Sequence, residues 1–127
     1  QIWEAAMFAG HRRLDNLCVI VDNNGLQIDG AVDQVCSPYP IDEKFKAFNF
    51  HVINVADGND MAQIRAAFDD AKAVKGQPSA IVMKTVKGRG VSYMENQAGW
   101  HGKAPNDEEY AIAMEELGKA GEALCQK

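Results

Sequence analysis

The fold is decided by residues 17–30, whose sequence is LCVIVDNNGLQIDG. Its first five residues are all apolar, and several of them are β-branched. A run that is apolar on both faces is typical of a strand in the middle of a parallel sheet. The polar residues from Asp22 onward predict an abrupt turn where this strand ends.

Helical and strand patterns alternate on both sides of this stretch. Two later apolar runs, at residues 51–55 and 80–86, have the composition of strands. Apolar residues recur at helical spacing in four segments, which are residues 3–14, 41–48, 61–76 and 107–124. Strands that alternate with helices predict right-handed crossovers. The expected fold class is therefore α/β, with a parallel β-sheet flanked by helices.

Two of the expected helices carry their own start signals. The turn at residues 57–60, with the sequence DGND, offers a cap for the helix that follows it. Asn106 precedes the last helix, and Glu109 follows three residues later, which is the spacing of a capping box. The first helical pattern has no capping residue and no initiator methionine before it. We therefore expect the chain to begin inside an element.

Size and composition limit the class of protein. The 127 residues suffice for one domain with one core, and no apolar run approaches the roughly 20 residues that a membrane span needs. The formal net charge of −5 argues against nucleic acid or an anionic membrane as the main partner. The three cysteines lie far apart without a CxxC pair, which is typical of reduced thiols in the cytoplasm. We expect Cys18, inside its apolar run, to be buried.

Two polar stretches follow predicted strands, where parallel sheets bind their ligands. The first, residues 22–30, is rich in amide and carboxylate oxygens. Mg²⁺ and Ca²⁺ accept such oxygens together with backbone carbonyls. An ordinary tight turn also explains this stretch, because Asn-Gly is a common turn sequence. The spacing by itself favours the turn.

The second polar stretch, residues 84–103, places Lys87 just ahead of Gly88 and Gly90. A lysine among glycines suggests an anion site, because backbone N–H groups and an ammonium group can approach phosphate closely. The stretch is not a P-loop, since the GxxxxGK[ST] pattern is absent. A surface loop with solvated charges explains it equally well, and His101 alone is one histidine in a polar loop.

Taken together, the motifs resemble the transketolase family of thiamine-diphosphate enzymes. The segments that carry the resemblance are WEAAM at residues 3–7, LDNL at 14–17, IVDNNGLQIDG at 20–30, TVKGRG at 85–90 and WHG at 100–102. The first three are similar to the second half of the family's thiamine-diphosphate motif, whose Gly-Asp-Gly start is absent. The resemblance covers nearly the whole chain.

The resemblance implies a role for each of five residues. Asn24 would bind the metal, Mg²⁺ or Ca²⁺, through its side chain, and Leu26 through its backbone carbonyl. Ile28 would pack against the thiazolium ring of thiamine diphosphate. Lys87 and His101 would contact the diphosphate, and His101, as the catalytic residue, would also face the reacting oxygens of the sugar. Asp22 and Asn23 are not ligands in this assignment; both would make hydrogen bonds within the loop.

The resemblance also implies what surrounds the chain. Residues 1–127 would be a single domain, the C-terminal portion of a transketolase-like thiamine-diphosphate-binding domain. The third protein ligand of the metal, the Asp of Gly-Asp-Gly, would lie upstream of this chain. The complete enzyme would transfer a two-carbon ketol unit from a ketose phosphate to an aldose phosphate. Its activating carboxylate would come from the pyrimidine-binding half, as a C-terminal domain or a separate polypeptide, in a homodimer or heterotetramer. The chain is therefore not expected to be active alone.

Two other functions compete with this assignment. The enzyme 1-deoxyxylulose-5-phosphate synthase shares the cofactor, but its strand-end loop departs from the LQIDG sequence of residues 26–30. A non-catalytic α/β binding module, such as a flavodoxin-like regulator, would need an acidic cluster at the end of the first strand. The sequence has no such cluster.

Overall fold

Three strands form the parallel sheet that the alternating patterns predict. They are β1 Cys18–Asn23, β4 His51–Val55 and β5 Ser79–Lys84, which pair in the order β1-β5-β4. Both pairings are parallel. The expected α/β class is therefore confirmed in this computed structural model, which describes residues 1–125.

Helices and a small hairpin complete the described chain. The helices are α1 Ile2–Arg12, α2 Val32–Val35, α3 Ile41–Ala47, α4 Met61–Ala73 and α5 Asp107–Cys125, with a 3₁₀ helix at Ala98–His101. The hairpin consists of β2 Leu26–Gln27 and β3 Gly30–Ala31, which pair antiparallel. No helix in residues 1–125 combines the length and apolarity that crossing a membrane requires.

The chain divides into two compact units. The first consists of Gln1–Asn24 and Ser37–Thr85 and contains the parallel sheet with α1, α3 and α4. The second consists of Gly25–Cys36 and Val86–Lys127 and contains the hairpin, α2, the 3₁₀ helix and α5. The expectation that residues 1–127 form a single domain stays a prediction.

The first unit buries apolar side chains on both faces of the sheet. Successive residues of β5 point to opposite faces, so Ala80 joins one cluster and Ile81 the other. Ala80 packs in the cluster that includes Phe45 of α3, while Ile81 packs in the cluster that includes Ala67 of α4. The helix α1 approaches the backbone of Phe48, at the end of α3, closely because Gly10 has no side chain. A Cβ at Gly10 would lie 1.8 Å from the carbonyl oxygen of Phe48.

The position of β1 differs from the expectation. The strand lies at an edge of the described sheet, and its side chains alternate between partly buried and exposed. Val19 and Val21 pack against the core, whereas Ile20 is 50% exposed. Cys18 is exposed rather than buried. An apolar run is compatible with a strand that is covered on both faces, but it does not show that other elements actually pack against both faces of that strand.

Several element boundaries also differ from the expectation. The segment predicted as one loop between β1 and α3 contains the hairpin and α2, which are too short to produce a detectable period. The helix α1 ends before residue 14 because Arg13 adopts the left-handed conformation, with φ 53°. In α4 the expected stripe residue Met61 is 73% exposed. The expected apolar stripe of α5 is exposed at Tyr110, Met114, Leu117 and Leu124.

Candidate functional site

The polar residues at the end of β1 lie beside the end of β5. The two strands pair in register, with Asn23 opposite Lys84. At this edge the hydroxyl of Thr85 donates a hydrogen bond to the carboxylate of Asp22. The carboxyl ends of two neighbouring strands are thus joined by side chains, in the place where parallel sheets present their ligand sites.

The next side chain, Asn23, is held from a different direction. The hydroxyl of Tyr39 donates a hydrogen bond of 2.7 Å to Oδ1 of Asn23. The expectation that Asp22 and Asn23 bond within their loop is wrong for Asp22, whose partner Thr85 follows β5. Tyr39, the partner of Asn23, lies within the segment expected to be one loop up to Pro40. Asn24, the expected metal ligand, follows directly and is half-buried.

An open groove of about 310 Å³ in the first unit reaches Asp22. Its lining is mostly apolar and comes from α1, β1 and α3, including Trp3, Ile20 and Phe45. The ring of Trp3 lies 5.4 Å from that of Phe45, centroid to centroid. The groove gives the end of β1 an apolar wall on one side.

In the second unit, the hairpin carries two of the expected site residues. Leu26 lies in β2 and is half-buried, and Ile28 lies at the turn between β2 and β3, 66% exposed. The backbone N–H of Val32 donates to the carbonyl of Gly25, at 3.0 Å, and closes the base of the hairpin. The Ile28 side chain is accordingly available for contact with a ligand.

Lys87 begins a closed turn in the second unit. Its backbone carbonyl accepts a hydrogen bond of 3.0 Å from the N–H of Asn96. Gly88 is required inside the turn, because its φ is +74° and a Cβ would lie 2.6 Å from the carbonyl oxygen of Met94. The N–H of Gly90 donates to Oε1 of Glu95 at 2.9 Å. This backbone N–H, which the sequence suggested as a phosphate donor, is already bonded to a carboxylate of the same loop. The Gly90 N–H is therefore not available to an anion at this turn.

His101 ends the 3₁₀ helix and is exposed. Its neighbour Trp100 is fixed on two sides: Nε1 donates to the carbonyl of Tyr93 at 3.0 Å, and Nζ of Lys103 lies 4.1 Å from the centroid of the Trp100 ring. Lys103 also forms an ion pair with Glu109, at 2.9 Å. The segment that presents His101 is thereby tied to the first turn of α5.

Asn106 and Glu109 form the expected capping box at the start of α5. The N–H of Glu109 donates to Oδ1 of Asn106 at 2.8 Å, and the N–H of Asn106 donates to Oε2 of Glu109 at 2.9 Å. The hydrogen bond from the Asn106 backbone, followed by that from Lys103, holds the pKa of the Glu109 carboxyl below its usual value. Sequence reasoning found this cap but missed Tyr93, whose hydroxyl donates to the carbonyl of Glu109. Nothing in its spacing indicated this contact.

The expected site residues thus fall into both units, with Asn24 in the first and Leu26, Ile28, Lys87 and His101 in the second. Among residues 1–125, no group of three or more His, Cys, Asp or Glu side chains is arranged to hold a metal ion. The expected donors, an amide oxygen and a backbone carbonyl, are of a different kind and suit a hard cation.

A parallel sheet with polar loops after two adjacent strands defines an α/β domain with its ligand site at the strand ends. Residues 2–124 match the family model described as transketolase, thiamine diphosphate binding domain. The chain belongs to the transketolase family.

Known relatives include enzymes that are divided into subunits. The chain is 41% identical over 121 residues to a 6-deoxy-6-sulfo-D-fructose transketolase subunit of Clostridium sp.. This alignment covers 95% of the present chain and 44% of the Clostridium protein. It is 38% identical over 117 residues to one of the subunits of apulose-4-phosphate transketolase from Actinobacillus succinogenes, with 91% of this chain and 41% of that protein covered. The chain therefore spans less than half the length of these relatives.

Solved transketolase structures share the fold. The crystal structure of transketolase from Campylobacter jejuni superposes with a TM-score of 0.84 at 30% identity, over 91% of this chain and 18% of that one. The transketolase of Pichia stipitis in complex with sedoheptulose-7-phosphate superposes with a TM-score of 0.82 at 29% identity. The overlap covers a small part of each longer enzyme.

Proposed function

We propose that this chain is the cofactor-diphosphate and metal-binding part of a transketolase. The enzyme would transfer a two-carbon ketol unit from a ketose phosphate to an aldose phosphate. The observation that carries the proposal is the family match over residues 2–124, together with the polar loop at the carboxyl end of β1 beside β5. The ligand-binding position of the fold and the motif of the family coincide at that loop.

The metal would be Mg²⁺, or Ca²⁺ in its place. Asn24 would bind it through its side-chain oxygen and Leu26 through its backbone carbonyl. This donor set fits the ion, because Mg²⁺ is a hard cation that is commonly held by few protein ligands together with water and phosphate oxygens. The half-burial of Asn24 at the end of β1 leaves part of its surface open to such a ligand.

Thiamine diphosphate, when bound, supplies the chemistry that breaks and forms carbon–carbon bonds. Lys87 would neutralise its diphosphate, and Ile28 would pack against its thiazolium ring. His101 would contact the diphosphate and donate hydrogen bonds to sugar oxygens as negative charge develops on them. Stabilisation of developing charge is usually the largest single contribution to catalysis. The exposed positions of Ile28 and His101 are compatible with these roles.

The partner would be the pyrimidine-binding half of the enzyme, which supplies the activating carboxylate. Relatives named as subunits favour a separate polypeptide in a heterotetramer, and relatives named simply as transketolase, such as that of Nostoc sp., favour a C-terminal domain in a homodimer.

We place the enzyme in the cytoplasm and in the pentose phosphate pathway. A sulfonated sugar or apulose 4-phosphate is the second candidate substrate, because the Clostridium and Actinobacillus relatives act on these compounds according to their names.

Calorimetric titration of the assembled enzyme with thiamine diphosphate, with and without Mg²⁺, tests the proposal. We expect binding that requires Mg²⁺ and that Asn24→Ala weakens at least about 100-fold, since even outer-shell substitutions cost 10- to 100-fold in metal affinity. Asn23→Ala should weaken it much less. Equal losses in the two variants would contradict the ligand assignment, and no binding by the wild type would favour a non-catalytic module.

A further inference from the structure

The segment Ser37–Pro40 reaches back to the residue that precedes the proposed metal ligand. The Tyr39 hydroxyl donates to Oδ1 of Asn23 at 2.7 Å, across 16 positions of the sequence. Both residues belong to the first unit. The contact is a side-chain hydrogen bond between a loop residue and the last residue of β1, and no motif in the sequence indicates it.

This segment is itself anchored to α3 through Lys44, which also contacts α1. Nζ of Lys44, on α3, donates to the carbonyl of Pro38 at 2.6 Å and lies 3.4 Å from the carbonyl of Tyr39. The same ammonium group lies 5.6 Å from the centroid of the Trp3 ring on α1, close enough for a cation–π contact. The position of the Tyr39 hydroxyl is therefore set by the packed part of the first unit.

These contacts affect three consecutive side chains, two at the end of β1 and one directly after it. Asp22 is fixed by Thr85, and Asn23 is fixed by Tyr39. Asn24 follows directly. Because Mg²⁺ demands near-ideal octahedral geometry, its affinity depends on how well the neighbours of a ligand are held in place.

We propose that Tyr39 is a positioning residue for the metal and diphosphate site. Its hydroxyl fixes Asn23 and, through the intervening backbone, the adjoining Asn24. The inference rests on the proposed role of Asn24 as a metal ligand. Tyr39 itself contacts neither the ion nor the cofactor in this account.

The test is the Tyr39→Phe variant of the assembled enzyme, which removes only the hydroxyl. Mg²⁺ is titrated calorimetrically at a fixed, saturating concentration of thiamine diphosphate, and the titration is repeated with Ca²⁺. Loss of one hydrogen bond is expected to weaken Mg²⁺ binding about 3- to 10-fold. Ca²⁺ binding should weaken less, because Ca²⁺ accepts more flexible coordination. Tyr110→Phe, at an exposed position of α5, is the matched control and should bind both ions like the wild type.

Two further variants locate the effect. In an Asn23→Ala background, Tyr39→Phe should cause no further loss of Mg²⁺ affinity, because the pair acts as one unit. The melting temperature of the cofactor-free Tyr39→Phe protein is measured alongside and should stay within about 2 °C of the wild type, since loss of one exposed hydrogen bond costs little.

The inference is overturned if Tyr39→Phe binds Mg²⁺ like the wild type while Asn24→Ala binds it poorly. It is also overturned if Mg²⁺ and Ca²⁺ affinities fall equally, if the loss persists in the Asn23→Ala background, or if the melting temperature falls in step with the affinity. If Asn24→Ala itself binds Mg²⁺ normally, the proposed metal site fails, and the role of Tyr39 fails with it.

Discussion

The two units of the chain are stabilised in different ways. The first unit buries a cluster of apolar side chains on each face of its sheet, and the Ile81 side chain is fully buried. In the described part of the second unit, only Val91 and Ala113 are buried. Carboxylates bound to backbone N–H groups hold that unit instead: Glu95 accepts from Gly90, and Glu116 accepts from Ser92.

This difference separates the scaffold from the residues assigned to chemistry. Binding and catalytic residues commonly lie on loops that a rigid framework positions. Four of the five proposed site residues lie in the second unit, and Asn24 is the last residue of the first segment of the scaffold. The comparison predicts that core substitutions in the sheet cost the most stability, and that substitutions in the second unit cost less.

The largest stability effect is expected at the centre of the sheet. Ile81→Ala should lower the free energy of unfolding by about 2–5 kcal/mol, because it removes a fully buried side chain and leaves a cavity. Its matched control is Ile20→Ala, since Ile20 pairs with Ile81 in register but is 50% exposed. Urea unfolding of the 127-residue chain measures both. Similar losses would show that Ile20 is covered as fully as Ile81 and would contradict its exposure.

A smaller effect is expected in the second unit. Asn106→Ala should cost about 1 kcal/mol, because it removes the side-chain acceptor at the start of α5. Asn106→Asp keeps an acceptor and should restore most of that loss. Hydrogen exchange of the backbone amides at residues 107–110 provides the measurement. Equal exchange in the two variants would mean that the capping box does not hold the helix start.

Much of the first unit could be predicted from the sequence. The strand β4 and a helix cap within residues 57–60 follow from local patterns, and the structure confirms both. The cap is Asp60, whose carboxylate accepts from the N–H of Ala62. The edge position of β1 could not be predicted, because the composition of a strand does not reveal which elements cover it. The hairpin was missed because strands of two residues have no measurable period.

The site was only partly accessible to sequence reasoning. The resemblance supplied the roles of Asn24, Lys87 and His101. Spacing alone favoured an ordinary turn at Asn24, suited a solvated surface loop equally well at Lys87, and gave His101 no role. The supporting contacts, such as those of Tyr39 with Asn23 and of Glu95 with Gly90, join residues without any periodic relation. Such contacts depend on the tertiary path of the chain, so local patterns cannot indicate them.

The central claim is that Lys87 of this chain anchors the diphosphate of the cofactor, whereas His101 assists the chemistry. Steady-state ketol transfer by the assembled enzyme, at saturating and at limiting thiamine diphosphate, tests it most directly; the isolated chain serves as the control and should show no transfer. His101→Ala should lower turnover at saturation on the order of 100- to 1000-fold, because it removes a donor to developing charge. Lys87→Ala should raise the cofactor requirement and spare turnover at saturation, because a diphosphate contact is the same in the ground and transition states. Wild-type turnover by His101→Ala at saturating cofactor and sugar would contradict the account.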